Sequence, residues 1–353
     1  MKAAILAGKE HFEIREVEKP RCGSEEVLVK VKICAICGTD LRIFRGEKRI
    51  DVPITGHEIA GIIEEVGARV KGYSVGEKVV IETVIGCGEC DACKRGEENR
   101  CRRKYDAIGY QYNGGFSQFL LVPKNAVKQG CVIKIPDDLS FEEASIVEPL
   151  SCVINGWYPF RKRAPNFTTV IIGAGIIGML HTEYAKHQGA KVILVNRTSP
   201  RLILAEKIGL PADFFIDASK ENPVKKVLEL TNGVGADVVI CATSDKDVQR
   251  QALEMAAVDA DVSYFAGVSK DDPYVQIDTN LIHYNELHIH GANASNRRQY
   301  LEAVNLIASG KVNVKKFVTH KFPLEKIEEA FKTLEDRSSN AIKVVIDPWM
   351  EEK

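Results

Sequence analysis

The sequence lacks an excess of charge of either sign, a long apolar run and a secretion signal. Its 48 lysines and arginines balance 49 aspartates and glutamates, for a formal net charge of -1. This balance gives no electrostatic basis for binding nucleic acid or an anionic membrane. The longest apolar run, residues 170–180, is interrupted by glycines and is too short to span a bilayer. Residues 1–6 lead directly into Gly8, Lys9 and Glu10, which leaves no room for a signal peptide.

These absences favour a cytoplasmic protein that has neither nucleic acid nor a membrane as a partner. The chain nevertheless contains ten cysteines. In a reducing compartment, such cysteines remain thiols that are available for metal binding or for packing.

The 353 residues are enough for two domains of ordinary size. Residues 1–154 alternate short β-branched runs with glycine and proline, which is typical of a mainly antiparallel β domain. Residues 155–290 alternate strands with helices, a rhythm that predicts a doubly wound parallel sheet. Residues 291–353 end in a strand predicted over 341–346, which we expect to return to the first domain. The predicted fold class is therefore α/β.

Local signals give the boundaries of individual elements. Ser140, followed three residues later by Glu143, has the spacing of a capping box and predicts the start of a helix. The strands predicted for the second domain cover residues 168–172, 192–195, 214–216, 236–241, 262–265 and 287–290. Further helices are predicted over residues 176–188, 201–208, 223–230, 296–309 and 324–335.

Four cysteines lie in one short segment, residues 86–102, at positions Cys87, Cys90, Cys93 and Cys101. Four thiolates at this spacing can surround one tetrahedral zinc ion, and they leave no open position for chemistry. Disulfides are disfavoured because no secretion signal is present. An iron–sulfur cluster is an alternative, since ferredoxins also begin with C-x2-C-x2-C, but their runs continue with x3-C-P and this one does not. We predict a structural zinc site.

A glycine-rich loop follows the apolar strand at residues 168–172 and begins a helix. The glycines of the G-x-G-x-x-G pattern are Gly173, Gly175 and Gly178, with Ile176 and Ile177 between the last two. The first glycine permits a tight turn, the second lets the backbone approach a pyrophosphate, and the third brings helix and strand close together. The helix N-terminus adds the positive end of a dipole. The loop predicts a site for a dinucleotide cofactor.

The next strand, residues 192–195, ends in Asn196 and Arg197, and Arg201 follows one helical turn later. An NAD site usually has Asp or Glu at this strand end, where the carboxylate binds the ribose 2′-hydroxyl and repels a 2′-phosphate. Here the residue is neutral and arginines are nearby, and arginine pairs well with phosphate. We predict a preference for NADP over NAD. The alternative is that Asn196 itself holds the ribose of NAD while Arg197 is solvated or stacks on adenine.

A second candidate metal site combines the segments Cys37-Gly38-Thr39-Asp40 and Gly56-His57-Glu58. A thiolate, an imidazole and a carboxylate suit a zinc ion that keeps an exchangeable fourth position. Such a zinc acts as a Lewis acid on a bound oxygen.

With these motifs, the chain resembles the zinc-containing medium-chain dehydrogenase family, most closely its polyol (sorbitol-like) and threonine dehydrogenase branch. The resemblance extends over essentially the whole length. It rests on GHEIAG at 56–61, the cysteines of 87–101, NGGFSQF at 113–119 and EPL at 148–150. It implies a GroES-like catalytic domain over residues 1–154, a Rossmann domain over 155–290 and a return to the catalytic domain over 291–353.

The resemblance also implies roles for individual residues at the catalytic zinc. Cys37 and His57 would be ligands. Glu58 would be a third ligand, either direct or exchanging with water. Glu148 would lie close to the metal, as an alternative ligand or as the partner of a zinc-bound water.

Thr39 would hydrogen-bond the alcohol oxygen and begin the proton path, and Asp40 would orient a ligand or its loop. Many relatives have histidine where this chain has Arg42, which cannot release a proton at working pH. Either the proton path then runs through Thr39, the ribose hydroxyl and water alone, or Arg42 recognises an anionic group of the substrate. A third interpretation makes Arg42 a positioning residue near the cofactor.

Three further positions are expected at the cofactor: Thr243, Val268 and Asn293. Relatives often have glycine after the threonine that corresponds to Thr243, whereas this chain has Ser244.

The sequence thus predicts an oxidoreductase that interconverts a secondary alcohol, polyol or sugar-derived, and a ketone. It would use two zinc ions per chain, one catalytic and one structural, and NAD(P). An L-threonine-type 3-dehydrogenase is the first alternative, because that branch shares the zinc pattern. A non-catalytic nucleotide-binding protein of the same fold is a remote alternative. We expect the chain to be a homo-oligomer, a dimer or a tetramer, with a small-molecule substrate.

Overall fold

A computed structural model describes residues 1–161 and 163–351, which form two compact units. The first unit combines Met1–Ser151 with the chain from Ala294 onward, and the second is Cys152–Asn293. No helix in the described ranges is long and apolar enough to cross a membrane.

The N-terminal part of the first unit consists mainly of strands joined by short helices. Its strands are β1 (Lys2–Gly8), β2 (His11–Glu16), β3 (Val27–Ala35), β4 (Glu58–Val66), β5 (Lys78–Ile81), β6 (Val84–Ile85), β7 (Asp106–Ala107), β8 (Phe119–Val122) and β9 (Val132–Lys134). Its helices are α1 (Gly38–Phe44), α2 (Asp91–Lys94), α3 (Lys124–Gln129) and α4 (Phe141–Ala144), and α5 (Val147–Trp157) continues into the second unit. At α4 the predicted capping box is confirmed, since the Glu143 amide donates to Ser140 Oγ at 3.2 Å.

The C-terminal part of the first unit completes its main sheet. This part contains α11 (Arg297–Ala308), β16 (Val318–Pro323), α12 (Ile327–Glu335) and β17 (Lys343–Asp347). The strands follow the order β16-β17-β3-β4-β5-β9, and β8 also pairs with β3. The strand β17 runs antiparallel to β3, with Val345 opposite Ala35. The last strand of the chain therefore lies beside the strand that leads into α1.

Aromatic packing fixes the position of α1 in the first unit. Phe44, at the end of α1, stacks on Phe12 with ring centroids 5.3 Å apart, and its ring lies 4.9 Å from that of Phe331 on α12. All three side chains are buried. Such aromatic contacts add to the free energy of burying the rings, so the helix that follows Cys37 is held rigidly.

The second unit is a parallel sheet with helices between its strands. The strands are β10 (Thr168–Ile172), β11 (Lys191–Asn196), β12 (Phe214–Asp217), β13 (Ala236–Cys241), β14 (Ala256–Tyr264) and β15 (His288–Gly291). The helices are α6 (Ile176–His187), α7 (Ser199–Lys207), α8 (Pro223–Leu230), α9 (Lys246–Glu254) and α10 (Thr279–Tyr284). The strand order is β12-β11-β10-β13-β14-β15. The chain begins at the central strand β10, adds β11 and β12 on one side of it, and then adds β13, β14 and β15 on the other side, which is the doubly wound order. The predicted α/β fold class is confirmed.

One histidine belongs to the core of the second unit. His181 on α6 is fully buried, accepts a hydrogen bond at Nδ1 from Trp157 Nε1 at 3.0 Å, and contacts the edge of Phe265. Burial lowers the pKa of His181 from 6.5 to about 3. The ring is therefore neutral in the folded protein at ordinary pH.

Candidate active site and metal centres

The four clustered cysteines converge on one point in the first unit. Their sulfur atoms all lie within 4.8 Å of one another. Cys90 Sγ is 3.5 Å from Cys93 Sγ and 3.9 Å from Cys101 Sγ, and Cys87 Sγ is 3.9 Å from Cys93 Sγ. The short helix α2 begins directly after Cys90 and carries Cys93 on its first turn.

These separations fit a single tetrahedral ion. Four sulfurs at about 2.3 Å from one zinc ion stand about 3.8 Å apart. An iron–sulfur cluster binds its cysteines through different iron atoms, which spreads the sulfurs further. Hydrogen bonds from the backbone amides of Cys93 and Arg102 lower the pKa of Cys90 to about 6, whereas burial raises the pKa of Cys93 to about 12. The lobe thus presents four convergent sulfurs, as a closed zinc site requires.

A second group of candidate ligands lies at the start of α1 and of β4. Cys37 precedes the first residue of α1, and His57 and Glu58 lie where the chain enters β4. The ligand atoms of these three residues lie within 4.8 Å of one another. His57 and Glu58 are buried, while Cys37 is half-buried. A thiolate, an imidazole and a carboxylate that are partly open on one side fit a metal with an exchangeable position.

Asp40 connects the two segments that carry these candidate ligands. Its Oδ2 accepts a hydrogen bond from the Cys37 amide at 2.9 Å, and its Oδ1 lies 3.2 Å from His57 Nδ1. Burial lowers the pKa of His57, but the charge of the Asp40 carboxylate and its contact with the ring outweigh this effect and raise the pKa. The carboxylate leaves Nε2 of His57 as the nitrogen that can face a metal, the arrangement that orients ligating histidines in many metalloproteins.

The structure pairs Glu58 with a residue that the sequence analysis did not identify. Lys343 Nζ lies 2.7 Å from both carboxylate oxygens of Glu58 and donates to the Ile36 carbonyl at 3.1 Å. The two side chains are 2% and 0% exposed. The charge of Glu58 outweighs the effect of burial and raises the pKa of Lys343. Glu58 therefore lies at the candidate metal site as one half of a buried ion pair.

The other residues predicted for the catalytic zinc site differ in their exposure to solvent. Glu148, at the start of α5, is half-buried and lies outside the group of three, but its charge acts on Lys343 and Tyr110. Thr39 is half-buried in the first turn of α1. Arg42 is exposed, with Nε 3.7 Å from Glu47 Oε2.

The sequence analysis missed Tyr110, which lies beside His57, and Lys48, which lies over the Tyr110 ring. The Tyr110 hydroxyl is 3.4 Å from His57 Nδ1 and 3.5 Å from Nε2, and the two ring centroids are 5.2 Å apart. Lys48 Nζ lies 4.2 Å from the centre of the Tyr110 ring. No local pattern could have indicated these contacts, because the residues come from three separate segments.

The glycine loop of the second unit has the conformation expected of a phosphate-binding loop. Gly173 has φ +113°, which other residues rarely adopt. A Cβ at Gly178 would lie 1.7 Å from the Gly173 carbonyl oxygen, so no side chain fits there. A Cβ at Gly175 would meet no protein atom within 4 Å, which leaves space over the N-terminus of α6. A pyrophosphate could use this space and the unpaired amides of the helix.

Asn196, the last residue of β11, forms hydrogen bonds to the glycine loop and to the residues that follow the strand. Its Oδ1 accepts a hydrogen bond from the Ala174 amide at 3.1 Å, and its Nδ2 donates to the Thr198 carbonyl at 2.9 Å. Arg197 is exposed and Arg201 is half-buried on α7. Asp217, opposite Asn196 on β12, binds the hydroxyls of Ser199 and Ser219, which lower its pKa to about 2. The structure thus adds an anionic group that the sequence analysis did not consider.

The remaining predicted cofactor residues lie at the carboxyl ends of strands in the second unit. Thr243 follows β13, and its Cβ is 3.7 Å from the position of a Cβ at Gly173. Val268 follows β14 and is half-buried, and Asn293 follows β15. In doubly wound sheets, ligands bind at this end of the strands.

A doubly wound sheet with a glycine loop, in a chain with two groups of metal ligands, defines a nucleotide-dependent metalloenzyme of the dehydrogenase type. Comparison with known families agrees. Residues 23–137 match the alcohol dehydrogenase GroES-like domain, and residues 177–309 match the zinc-binding dehydrogenase domain.

Whole-length relatives agree with this assignment. The chain is 33% identical to D-arabitol-phosphate dehydrogenase of Enterococcus avium, with 98% of this chain and 96% of the relative covered. It is 35% identical to L-threonine 3-dehydrogenase of Thermococcus kodakarensis, covering 98% and 97%. A crystal structure from Sinorhizobium meliloti 1021, described as a zinc-binding dehydrogenase bound to NADP, superposes with a TM-score of 0.87 at 28% identity, covering 98% and 99%.

The chain therefore belongs to the zinc-containing medium-chain alcohol dehydrogenase family, in its polyol and threonine dehydrogenase branch. It is a zinc-dependent oxidoreductase that acts on an alcohol with NAD(P), and its substrate is a small molecule. The predicted family and enzyme class are confirmed.

Proposed function

We propose that the protein oxidises a secondary alcohol of the polyol or sugar type to a ketone, and catalyses the reverse reaction, at a zinc ion held by Cys37, His57 and Glu58. The observation that carries this proposal is the convergence of these three ligand atoms within 4.8 Å around an imidazole fixed by Asp40. The relatives named above act on a polyol phosphate and on threonine, and both substrates carry a secondary alcohol.

A zinc ion at this site would stabilise the alkoxide form of a bound alcohol and so favour hydride loss from its carbon. Around it, Asp40 holds the His57 ring in one orientation, and Lys343 balances the charge of Glu58. Thr39 would accept the proton of the alcohol and pass it toward solvent, since it lies two residues after Cys37 and is half-buried. Glu148 would act as an alternative ligand or hold a metal-bound water.

A second zinc, held by Cys87, Cys90, Cys93 and Cys101, would have a structural role. All four coordination positions would be filled by sulfur, so no substrate could bind there. The sulfur separations of 3.5 to 3.9 Å support one ion.

We further propose that the cofactor is NADP in preference to NAD. The strand end presents Asn196 in place of a carboxylate, with Arg197 and Arg201 nearby. The carboxylate of Asp217 would disfavour the 2′-phosphate of NADP. However, this carboxylate accepts hydrogen bonds from the hydroxyls of Ser199 and Ser219, and one of its oxygens lies 3.6 Å from Lys220 Nζ. Asn196→Asp should shift the ratio of kcat/KM toward NAD, because a carboxylate repels the 2′-phosphate. An unchanged ratio would contradict this assignment.

L-Threonine is the second candidate substrate. A relative at 35% identity over 98% of this chain is an L-threonine 3-dehydrogenase, which supports this alternative directly. The two candidates differ in whether the carbon chain ends in a carboxylate or in further hydroxyl or phosphate groups.

The test is a substrate screen on the purified, zinc-loaded protein with NAD and NADP in parallel. The panel comprises pentitols, hexitols, their phosphate esters, L-threonine and butane-2,3-diol, each oxidised, and the corresponding ketones reduced. Turnover of a polyol or its phosphate supports the first proposal, and turnover of threonine alone supports the second. No turnover of any alcohol or ketone would overturn both and favour a nucleotide-binding protein without catalysis.

We also propose that the chain forms a homo-oligomer in the cytoplasm. Strand β15 is at the edge of the six-stranded sheet of the described residues, with the side chain of Ile289 38% exposed. An unpaired edge with apolar side chains favours pairing with a second copy. Five of the ten cysteines belong to the two candidate zinc sites, and cysteines used as metal ligands are typical of a reducing compartment. Light scattering of the purified protein tests the oligomer, and a monomer would contradict it.

A further inference from the structure

The hydroxyl of Tyr110 lies at the candidate catalytic metal site and forms only weak contacts there. It is 3.4 Å from Nδ1 and 3.5 Å from Nε2 of His57. The two nitrogens of an imidazole point in different directions within the ring plane, so a hydroxyl almost equidistant from both is in line with neither. Hydrogen bonds this long and this poorly aligned are weak. In the part of the chain that the structure describes, no other residue forms a hydrogen bond with this hydroxyl.

Both nitrogens of His57 have other partners in the proposed site. Nδ1 lies 3.2 Å from Asp40 Oδ1, which leaves Nε2 as the nitrogen that can face a metal. With a metal bound, His57 therefore offers no nitrogen to the Tyr110 hydroxyl. A tyrosine hydroxyl is protonated at neutral pH, so it can donate a hydrogen bond to an oxygen that binds beside Nε2.

The ring and the backbone of Tyr110 hold the hydroxyl in this position. The side chain is half-buried, and its ring centroid lies 5.2 Å from that of His57 and 4.2 Å from Lys48 Nζ. The Tyr110 carbonyl accepts a hydrogen bond from the Asp51 amide at 3.0 Å, and its amide donates to the Ala107 carbonyl at 3.2 Å. None of these contacts uses the hydroxyl, so replacing Tyr110 by phenylalanine preserves them.

The charges near Tyr110 favour a neutral group beside the reacting carbon. Burial raises the pKa of Tyr110, and His57 lowers it. The negative charges of Asp40, Cys37 and Glu148 raise it further. A second anionic group of the substrate at the Tyr110 hydroxyl would be repelled by these three groups, whereas a hydroxyl carries no charge.

We infer that Tyr110 determines substrate specificity: its hydroxyl donates a hydrogen bond to a second hydroxyl of the substrate, on the carbon next to the reacting one. This inference rests on the proposed function, because it takes the site at His57 as the place where the alcohol reacts. Adjacent hydroxyls are joined through a single carbon–carbon bond, so their oxygens lie about 3 Å apart and both remain near His57. The protein should therefore prefer vicinal diols to secondary alcohols with one hydroxyl.

A matched pair of substrates tests this preference. Butane-2,3-diol and butan-2-ol have the same carbon chain and differ by one hydroxyl. The unaltered, zinc-loaded protein should oxidise the diol with a kcat/KM at least about 10-fold higher, as expected for one additional hydrogen bond in a buried site. Equal use of the two alcohols would overturn the inference. Turnover of L-threonine without turnover of any diol or polyol would also overturn it, because threonine has an ammonium group on the adjacent carbon.

Two variants locate the recognition. Tyr110→Phe should lower kcat/KM for butane-2,3-diol about 10-fold and leave that for butan-2-ol unchanged. The loss should appear in KM, because the second hydroxyl does not react. Tyr73→Phe is the matched control, since Tyr73 is also half-buried and its hydroxyl donates to the Val132 carbonyl at 2.8 Å. An equal loss for both alcohols in Tyr110→Phe would mean that the hydroxyl acts on His57 and not on the substrate, which would overturn the inference.

A binding measurement gives a readout that does not depend on catalysis. Butane-2,3-diol is titrated into cofactor-free protein and followed by the NMR signals of the diol, in samples of equal zinc content. Tyr110→Phe should weaken the binding about 10-fold, and Tyr73→Phe should not change it. Unchanged binding in Tyr110→Phe would overturn the inference and leave the proposed function standing. If no alcohol is oxidised at all, the proposed function fails, and the titration alone then decides whether Tyr110 binds the diol.

Discussion

The buried ion pair between Lys343 and Glu58 gives the sharpest prediction for stability. The two side chains are 2% and 0% exposed, and Lys343 Nζ contacts both carboxylate oxygens at 2.7 Å. Lys343→Met keeps an unbranched side chain of similar length and removes the charge. The variant leaves the Glu58 carboxylate buried without its cation and also removes the hydrogen bond to the Ile36 carbonyl.

The expected cost follows from the burial of both groups. Removing one partner of a buried ion pair destabilises a protein by about 3–5 kcal/mol, because the remaining charge is uncompensated. For a unit of this size, each kcal/mol lowers the unfolding midpoint by about 2–4 °C. Lys343→Met should therefore lower the midpoint by roughly 6–20 °C.

The assay is differential scanning calorimetry of protein prepared without zinc, because a zinc ion held by Glu58 would itself compensate the buried carboxylate. The double variant Glu58→Met with Lys343→Met should recover most of the loss, because replacing both ions by apolar groups is close to neutral. The control is Lys226→Met, which breaks an exposed pair with Glu229 and should leave the midpoint unchanged. If Lys343→Met unfolded at the midpoint of the unaltered protein, or if the double variant were no better than the single one, the interpretation of this pair would be wrong.

Three further predictions concern the glycine loop, the buried histidine and the cysteine lobe. Gly178→Ala should abolish dinucleotide binding in a fluorescence titration, because its Cβ would lie 1.7 Å from the Gly173 carbonyl oxygen; retained binding would contradict the loop geometry. His181, whose pKa falls from 6.5 to about 3, contributes stability that is complete above pH 6.5 and is lost as the pH falls toward 3. His181→Gln should therefore reduce the slope of the free energy of unfolding against pH by up to about 1.4 kcal/mol per pH unit, measured by denaturant titration between about pH 4 and pH 7. The exposed variant His283→Gln is the matched control and should leave the slope unchanged, and an unchanged slope in His181→Gln would contradict the prediction. Cys93→Ser should remove one zinc per chain and lower the midpoint, and an unchanged zinc content would refute the lobe assignment.

Signals that are local in the sequence predicted much of the fold. Strand β10, helix α8 and strand β13 have the predicted bounds, and the glycine loop lies between β10 and α6 as expected. The cysteine lobe was recognisable because its four residues lie within one short segment, where spacing alone limits the geometry. These features depend on neighbours in the chain, which a sequence displays directly.

Several predicted boundaries differ from the structure by one to six residues, and two of these differences have identifiable physical reasons. Strand β14 begins at Ala256 and not at 262, because its first half contains Val258 and Asp259, both exposed, and Asp259 has φ +64°. The apolar pattern therefore begins only in the second half. Helix α7 begins at Ser199 and not at 201, since Pro200 is compatible with the first turn of a helix.

The partners of the candidate ligands could not have been predicted. Lys343 and Glu58 are separated by 285 positions in the chain and meet because β17 pairs with β3 beside β4. Lys48, Tyr110 and His57 likewise come together only through the fold. A lysine in a strand or an exposed loop has no local feature that marks it as part of a site.

The central claim is that Cys37 and His57 hold a zinc ion at which an alcohol is oxidised, apart from the zinc of the cysteine lobe. The most direct test is the zinc content per chain of the unaltered protein and of Cys37→Ser, measured by mass spectrometry together with turnover and dinucleotide binding. The account predicts two zinc ions in the unaltered protein, and one zinc ion, no turnover and intact dinucleotide binding in the variant. Two zinc ions and full turnover in Cys37→Ser would contradict it.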